Sequence, residues 1–438
     1  MNIIIAGAGK VGFNLAKTLS IGHNVTIIDT NAEALHSIQE SLDILPLRGD
    51  VENYKTYEIF AEKKIDLFIA VTNIDNVNLV ASMVIDSVLE VKRKFVRLQK
   101  DIYDARDIKE RFAIDKIIFP IALSSKTMSS LLDYPKANNV KFFKYTDFQL
   151  ISMRVTEGLS REMLDSKNYA LVGIERKKKF FVPQEKHTQI VENDLIYFFG
   201  MRESIEYLCE NIVIDDVSVI EKCVVFGGAD LGVAIAKSLV DAGRKVKLIE
   251  QDTHLCEKAE EKLEGKATVI NSKYGIHDVF DDEDLSQADL FIAATNNDEY
   301  NIIKCLEAKD RGITKVVAIN NEMEYYSLMH SLGIIVIRGP KISAYNAIME
   351  EISSTGVVIQ KSFCGASGTV FLRRIFLSAS TQEKKIKPLK LSNAKVFIMR
   401  AGELHLLQEK TLLRADDLVV AFSGVSESAK VKQWIYEL

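Results

Sequence analysis

Three glycines spaced as Gly7-Ala8-Gly9-Lys10-Val11-Gly12 follow the short apolar run Met1–Ala6 and lead into Phe13–Leu19. The order is strand, glycine turn, helix, the context in which G-x-G-x-x-G cradles a pyrophosphate. Gly7 allows the tight turn, Gly9 lets phosphate approach the backbone, and Gly12 lets helix and strand pack closely. The helix start offers unpaired N–H groups and a partial positive charge. Asp29 ends the next apolar run (Val25–Ile28), twenty residues past Gly9. A carboxylate there can accept hydrogen bonds from a ribose diol and disfavours a 2′-phosphate, which points to NAD or an adenine nucleotide over NADP.

The elements that position these residues alternate along the chain. Strand runs are expected at Asn24–Ile28, Ile44–Leu47, Asp66–Val71, Lys94–Leu98 and Lys116–Phe119. Helical spacing is expected between them, at Asn31–Leu42, Tyr54–Lys63, Asp75 to about Leu89, and Tyr103–Phe112. This pattern predicts a doubly wound parallel sheet, a Rossmann arrangement, with nucleotide at the carboxyl ends of the strands. Those ends carry Gly7–Gly12, Asp29, Gly49-Asp50, Thr72-Asn73 and Arg97. Asp50 can bond a second ribose or the adenine edge, or can serve as a turn residue or helix cap. Thr72-Asn73 can line the crevice or cap the helix that follows. Arg97 can take a phosphate with its two-pronged guanidinium, or can form a surface or inter-subunit ion pair.

From about Asn138 the pattern changes to a small α+β module. Val140–Arg154, Ala170–Arg176 and Asp194–Gly200 read as strands, and Gly158–Leu164 as a short helix. Lys177-Lys178-Lys179 reads as a solvated hairpin tip.

The whole arrangement then recurs at an offset of 220 to 223 residues. Gly227-Gly228-Ala229-Asp230-Leu231-Gly232 repeats the glycine loop, Glu250 stands for Asp29, Thr295-Asn296 for Thr72-Asn73, and Pro340 for Pro120. A repeat this long means tandem duplication of a two-part unit. The fold class is therefore α/β: two doubly wound parallel-sheet domains in tandem, each followed by a small α+β module. The divisions fall at 1–137, 138–218, 219–353 and 354–438. The second copy departs where phosphate and ribose would sit. Ala229 replaces the middle glycine, Asn271-Ser272-Lys273 replaces Arg48-Gly49-Asp50, and its fifth strand has no arginine like Arg97. The second crevice is expected to bind nucleotide weakly, differently or not at all.

The tandem pair, the A-x-T-N-x-D strand ends at Thr72 and Thr295, and the module strands at Asp194 and Asp417 resemble the Trk potassium-uptake regulatory subunits, whose units are called RCK domains. The resemblance spans essentially the full length. It implies a cytosolic ring-forming regulator that binds NAD(H) or ADP/ATP and docks on the inner face of a membrane potassium-translocating subunit. It also implies a homo-oligomer, dimer or tetramer. Carried over to matching positions, the nucleotide contacts fall on Gly7, Ala8, Gly9, Lys10, Val11, Asp29, Thr72, Asn73 and Arg97. In the second half they fall on Gly227, Gly228, Ala229, Asp230, Leu231, Glu250 and Thr295. A gating ring for another potassium channel or efflux system fits the same pattern.

Composition agrees with a binding protein. Net charge is −5 with no strongly basic half, which argues against nucleic acid as the main partner. The five cysteines are scattered without a C-x-x-C pair, as buried thiols in a reducing compartment would be. Neither a signal peptide nor a membrane-length apolar run is evident, so a cytoplasmic location is expected, with membrane association through a partner. A dehydrogenase needs a proton-relay residue beside the nicotinamide. None of the seven histidines (23, 36, 187, 254, 277, 330, 405) falls at a strand end of the first unit, and there is no metal-ligand cluster, P-loop or nucleophile elbow.

Overall fold

The computed structural model describes the chain apart from residues 101–105, 135, 144–145, 156–165, 178, 184–188, 212–219, 273–279, 281–282, 354–357, 377–382, 387–388 and 390. The short helix expected at 158–164, the positions Lys178 and Lys273, and the divisions at 219 and 354 lie outside the described residues.

The first parallel sheet is built from β1 (Asn2–Ala6), β2 (Asn24–Asp29), β3 (Leu45–Arg48), β4 (Leu67–Ala70), β5 (Lys94–Arg97) and β6 (Lys116–Ile118). Its order is β3-β2-β1-β4-β5-β6, so the direction of winding reverses between β1 and β4, and the glycine loop leaves β1 at that switch point. The strands read as apolar runs because both faces are covered: all four residues of β4 are buried, and Ile3, Ile4 and Ile5 are buried in β1. One expected helix is shorter than its periodicity suggested. Only Lys55–Glu58 is α-helical, and 53–63 otherwise winds through tight i→i+3 bonds such as Phe60 N–H to Tyr57 O and Lys63 N–H to Phe60 O.

The chain packs as two compact units, Met1–Ser125 with Arg338–Glu351, and Lys126–Ile337 with Ile352–Leu438. In the first unit, Ser124 Oγ donates to Arg338 O (2.8 Å), and Thr18 Oγ1 lies 2.8 Å from the Tyr345 hydroxyl. The helix Pro340–Ser353, which by sequence follows the second sheet, thus packs largely with the first.

Among the described residues the second unit holds three further sheets and a ribbon. In chain order its first strands are β7 (Asn139–Phe142), β8 (Gln149–Arg154), β9 (Tyr169–Arg176), β10 (Lys179–Phe181) and β11 (Leu195–Gly200), in the order β10-β9-β11-β8-β7. The single run expected over 140–154 is two antiparallel strands, with Asn139 opposite Ser152, because the chain reverses before Phe148. Next come β12 (Lys222–Phe226), β13 (Lys245–Glu250), β14 (Thr268–Asn271), β15 (Leu290–Ala293), β16 (Lys315–Asn320) and β17 (Ile335–Arg338), which repeat the first sheet's order as β14-β13-β12-β15-β16-β17. The last strands are β18 (Val358–Phe363), β19 (Gly368–Arg374), β20 (Glu383–Lys385), β21 (Ala394–Arg400), β22 (Glu403–Leu406), β23 (Leu412–Arg414) and β24 (Leu418–Gly424). They form a sheet β18-β19-β24-β21-β22 and a ribbon β20-β23.

The two small sheets share one aromatic core, in which Phe143, Phe148, Phe199, Phe363 and Phe422 interlock. Their duplicated acids have the same task. Asp194 and Asp417, both buried, each accept a two-pronged pair of bonds from an arginine, Arg176 (2.8 and 2.7 Å) and Arg400 (2.8 and 2.7 Å). A buried carboxylate so held keeps its charge satisfied and locks the neighbouring strands.

Candidate nucleotide-binding crevice

The three glycines of the first loop are glycine for different reasons. Gly7 has φ +110°, and a Cβ there would stand 2.9 Å from Thr72 N. A Cβ on Gly12 would stand 1.9 Å from Gly7 O, so only glycine lets the helix Lys10–Leu19 close on β1. Gly9 is the exception. Its φ of −69° and ψ of −178° suit any residue, and among the described residues a Cβ there would meet no atom within 4 Å apart from its own chain neighbours. Nothing in the fold demands glycine at this position. The open space lies at the start of the helix, which no side chain caps, whereas Asn31 caps the helix Ala32–Ser41. An uncapped helix start beside a bare backbone is suited to an anion. Val11 is buried, so only its backbone can reach a ligand, while Gly9 and Lys10 are exposed.

Asp29 reaches back across the sheet edge. Its Oδ2 accepts from Ala8 N–H (2.6 Å) and its Oδ1 from Asn31 N–H (2.8 Å), so the carboxylate holds the loop and retains lone pairs for a diol. Asp50 is exposed and already accepts from Glu52 N–H (2.9 Å), which makes it the turn residue of its strand end. Thr72 is half-buried and Asn73 exposed.

Asn78 ties the strand ends together. It is fully buried. Its Oδ1 accepts from Thr72 N–H (2.9 Å) and Thr72 Oγ1 (2.7 Å), and its Nδ2 donates to Thr72 O (3.0 Å) and Arg97 O (2.9 Å). Asp75 adds a second brace by accepting from Gln99 and Lys100 N–H (2.8 and 3.0 Å). Neither residue was singled out for this role from sequence. The signal was available: Asn301 repeats Asn78 at the same spacing from its threonine, with the same four bonds.

Arg97 is buried at the end of β5, and among the described residues its Nε has no hydrogen-bond partner. Burial pushes the guanidinium pKa down, with Asp75 pulling the other way. An unsatisfied buried cationic donor at this sheet edge suits the phosphates of a nucleotide.

The second crevice keeps the frame and changes several of the residues that face a ligand in the first. Gly227 (φ +112°) and Gly232 repeat Gly7 and Gly12, the latter with a Cβ-to-carbonyl approach of 1.8 Å. Ala229 has φ −69° and ψ 172°, the backbone of Gly9, so its methyl occupies the space that Gly9 leaves open. Asp230 replaces Lys10 and pairs with Lys262 (2.7 Å). Ile319, whose carbonyl Asn301 holds as Asn78 holds that of Arg97, puts a buried apolar side chain in the arginine's place. Buried Ser272 takes the position of Gly49. Glu250 still braces its loop, accepting from Gly228 N–H (2.6 Å). Gly228 is part of that exchange: a Cβ on it would stand 2.9 Å from Glu250 Cβ and Cγ, so the longer acid takes the room that Ala8's methyl has beside Asp29. Leu231 is buried like Val11, and Thr295 is held by Asn301 as Thr72 is by Asn78.

Among the described residues no group of three or more His, Cys, Asp or Glu side chains could hold a metal ion, and no helix is long and apolar enough to cross a membrane.

Comparison with known proteins identifies the family. The TrkA-N domain family model matches residues 3–120 and again 223–340, the stretches that build the two parallel sheets. A Trk system potassium uptake protein TrkA homolog of Archaeoglobus fulgidus is 26% identical over 443 residues, covering 99% of each chain. The Trk system potassium uptake protein TrkA of Vibrio alginolyticus is 27% identical over 447 residues, covering 96% of this chain and 95% of that one. The structure of the GsuK channel bound to NAD shares the fold at a TM-score of 0.63 and 14% identity, covering 100% of this chain and 79% of that one. With a match to each half and more than half its length accounted for, the chain belongs to the TrkA-N domain family and carries that domain twice.

Proposed function

We propose that this chain is a nucleotide-sensing regulatory subunit of a potassium-transport system. It binds NAD(H) or ADP/ATP at the Gly7–Gly12 crevice and acts on a membrane potassium-translocating subunit of the Trk type. The single observation that carries the nucleotide reading is Gly9. It is a glycine that the fold does not require, at an uncapped helix start, between the Asp29 carboxylate and the buried Arg97 strand end. The family match and the two relatives named for potassium uptake support the transport role.

When bound, the nucleotide supplies charge and shape, with no reaction required. Gly9 and the first-turn amides receive phosphate, Asp29 takes the ribose diol, and Thr72, Asn73 and Asp50 line the rim. Lys10 and Arg97 respond to the number of phosphate charges. A ligand shifts an equilibrium between two shapes only by its differential affinity for them, so ADP and ATP must differ at these cations if they signal differently. In the second half Gly227, Gly228, Ala229, Asp230, Leu231, Glu250 and Thr295 keep the loop's form and bind nucleotide weakly, differently or not at all. The organisation we propose is four parts, 1–137, 138–218, 219–353 and 354–438. The chain works as a homo-oligomer, dimer or tetramer, held at the inner face of the membrane by its partner.

The test is titration of the purified full-length chain with NADH, ADP and ATP, paired with potassium flux through the reconstituted membrane subunit. Nucleotide binding that leaves flux unaltered defeats the regulatory reading. A partner of another class, co-purified from membranes, would favour a gating ring for a channel or efflux system instead.

A further inference from the structure

The second parallel sheet has a feature at its other end, away from Gly227–Gly232. A cavity of about 520 Å³ opens where β12, β13 and β14 begin. Four lysines border it, Lys222, Lys245, Lys247 and Lys266, with Glu283 and Asp284 on the facing loop. Two of the lysines are already engaged. Lys247 Nζ donates to Glu283 O (2.5 Å) and Oε2 (3.0 Å), and Lys266 Nζ to Glu264 Oε2 (3.0 Å).

The other two stand side by side. Lys222 is in register with Lys245 on the neighbouring parallel strand, so their side chains leave the same face at adjacent positions. Like charges placed directly across a ladder destabilise it. Asp289, just before β15, is turned to the backbone N–H groups of Glu221 and Lys222 (2.8 Å each).

The duplication provides an internal control. In the first sheet the same register positions are Asn2 and Asn24, and Asn24 Nδ2 donates to Asn2 Oδ1 (3.0 Å). Buried Thr26 stands where Lys247 does. The fold therefore closes this edge with two neutral amides when it has no other use for it. The second copy has replaced that closed pair with two cations beside a cavity.

We propose that this cavity is an anion site, taking a small phosphate-bearing molecule whose phosphate sits between Lys222 and Lys245. Glu283 and Asp284 face the remainder of the ligand and favour a hydroxyl- or amine-bearing portion. Lysine ammonium groups bind phosphate as point charges, so recognition tolerates several phosphate geometries and weakens with salt. The site is separate from the Gly7–Gly12 crevice and does not depend on the nucleotide reading.

Lysine acetylation footprinting of the full-length chain, read by mass spectrometry with and without inorganic pyrophosphate, tests it. Lys222 and Lys245 should lose reactivity at least threefold at saturation, while exposed Lys430 keeps its own. The double substitution K222N/K245N, which installs the first sheet's pair, should weaken pyrophosphate binding at least tenfold in calorimetry when both chains also carry Gly9→Ala, which blocks the first loop and leaves the lysine pair untouched. It should melt no lower than wild type without ligand. Unchanged reactivity of both lysines at saturating pyrophosphate, or equal affinity in the double variant, overturns the proposal. If the double variant fails to fold, the footprint of the native chain decides alone.

Discussion

Gly9→Ala separates a packing role from a ligand role more cleanly than any other change in the first loop. The new methyl would have no protein atom within 4 Å, and the backbone, at φ −69° and ψ −178°, accepts alanine without strain. Two small effects on stability oppose each other. Lower freedom of the unfolded chain stabilises by about 0.4–1 kcal/mol, and alanine is a poorer residue than glycine before a helix start by roughly 0.5–1 kcal/mol. The net change is near zero, and Tm should move by less than about 3 °C. Binding should change far more. A methyl at the helix start pushes a phosphate outward by about 1 Å, which weakens one or two charge-assisted hydrogen bonds worth roughly 1.5–3 kcal/mol each. The expected loss is about 2–3 kcal/mol, or roughly 30- to 150-fold in Kd. Gly12→Ala provides the contrast: its Cβ would lie 1.9 Å from Gly7 O, so it should destabilise by more than about 3 kcal/mol and disturb the fold itself. Calorimetric titration with NADH and ADP, with thermal unfolding of the same samples, reads both quantities. A Gly9→Ala chain that binds as wild type does, or that unfolds like Gly12→Ala, refutes the reasoning.

Other parts of the site and frame make predictions of different sign. Arg97→Leu should lower ATP affinity about tenfold while leaving the unliganded chain at least as stable, because a desolvated guanidinium with an unpartnered Nε is removed; chemical denaturation alongside nucleotide titration checks both. Gly228→Ala should destabilise the second loop by about 1–3 kcal/mol through its 2.9 Å approach to Glu250, and adding Glu250→Asp, the residue type that faces Ala8 in the first loop, should recover most of the loss; urea midpoints of the single and double variants decide. His330 contributes an acid-sensitive term. Burial lowers its pKa from 6.5 to about 4, with Glu175 opposing the shift and Arg154 reinforcing it. The fold thus favours the neutral ring: its full contribution is present above pH 6.5, begins to fall as pH drops below that value, and is lost by about pH 4. Holding the ring neutral down to about pH 4 corresponds to about 3 kcal/mol. His330→Phe should flatten that limb of the stability profile, and a limb as steep as wild type would count against the assignment.

The architecture was legible because duplication printed it twice. Alternating apolar runs, the glycine loops, and the acids at Asp29 and Glu250 gave both parallel sheets and the edge where their sites lie. Three kinds of detail were not readable. Periodicity could not separate an α-helix from the chain of tight turns at 53–63, since both repeat an apolar face every three to four residues. Aromatic and aliphatic residues on both sides of Thr146-Asp147 outweighed that short polar turn signal inside 140–154, where strand pairing reveals two antiparallel strands. Spatial exchange was also invisible: nothing in Pro340–Ser353 announces that it packs mostly with the first unit. Within the site, the spacing of Asp29, and of Glu250 in its place, points to a ligand-facing acid, and both also brace their loops from within. Asn78 and Asn301 escaped notice because each stands inside a helix, six residues past its threonine, and only the folded strand ends bring their partners together. The departures at Ala229 and at the Arg97 position were legible from sequence alone. The structure adds that Ala229 keeps the backbone of Gly9 and that Ile319 fills the arginine's place.

Potassium flux through the reconstituted Trk-type membrane subunit, measured with wild-type chain and with Gly9→Ala across a range of ADP, ATP and NADH, tests the central claim most directly. The account predicts nucleotide-dependent flux with the wild-type chain and a response lost, or shifted at least 30-fold in nucleotide concentration, with the variant. Flux indifferent to nucleotide, or a variant that responds as wild type does, would contradict it.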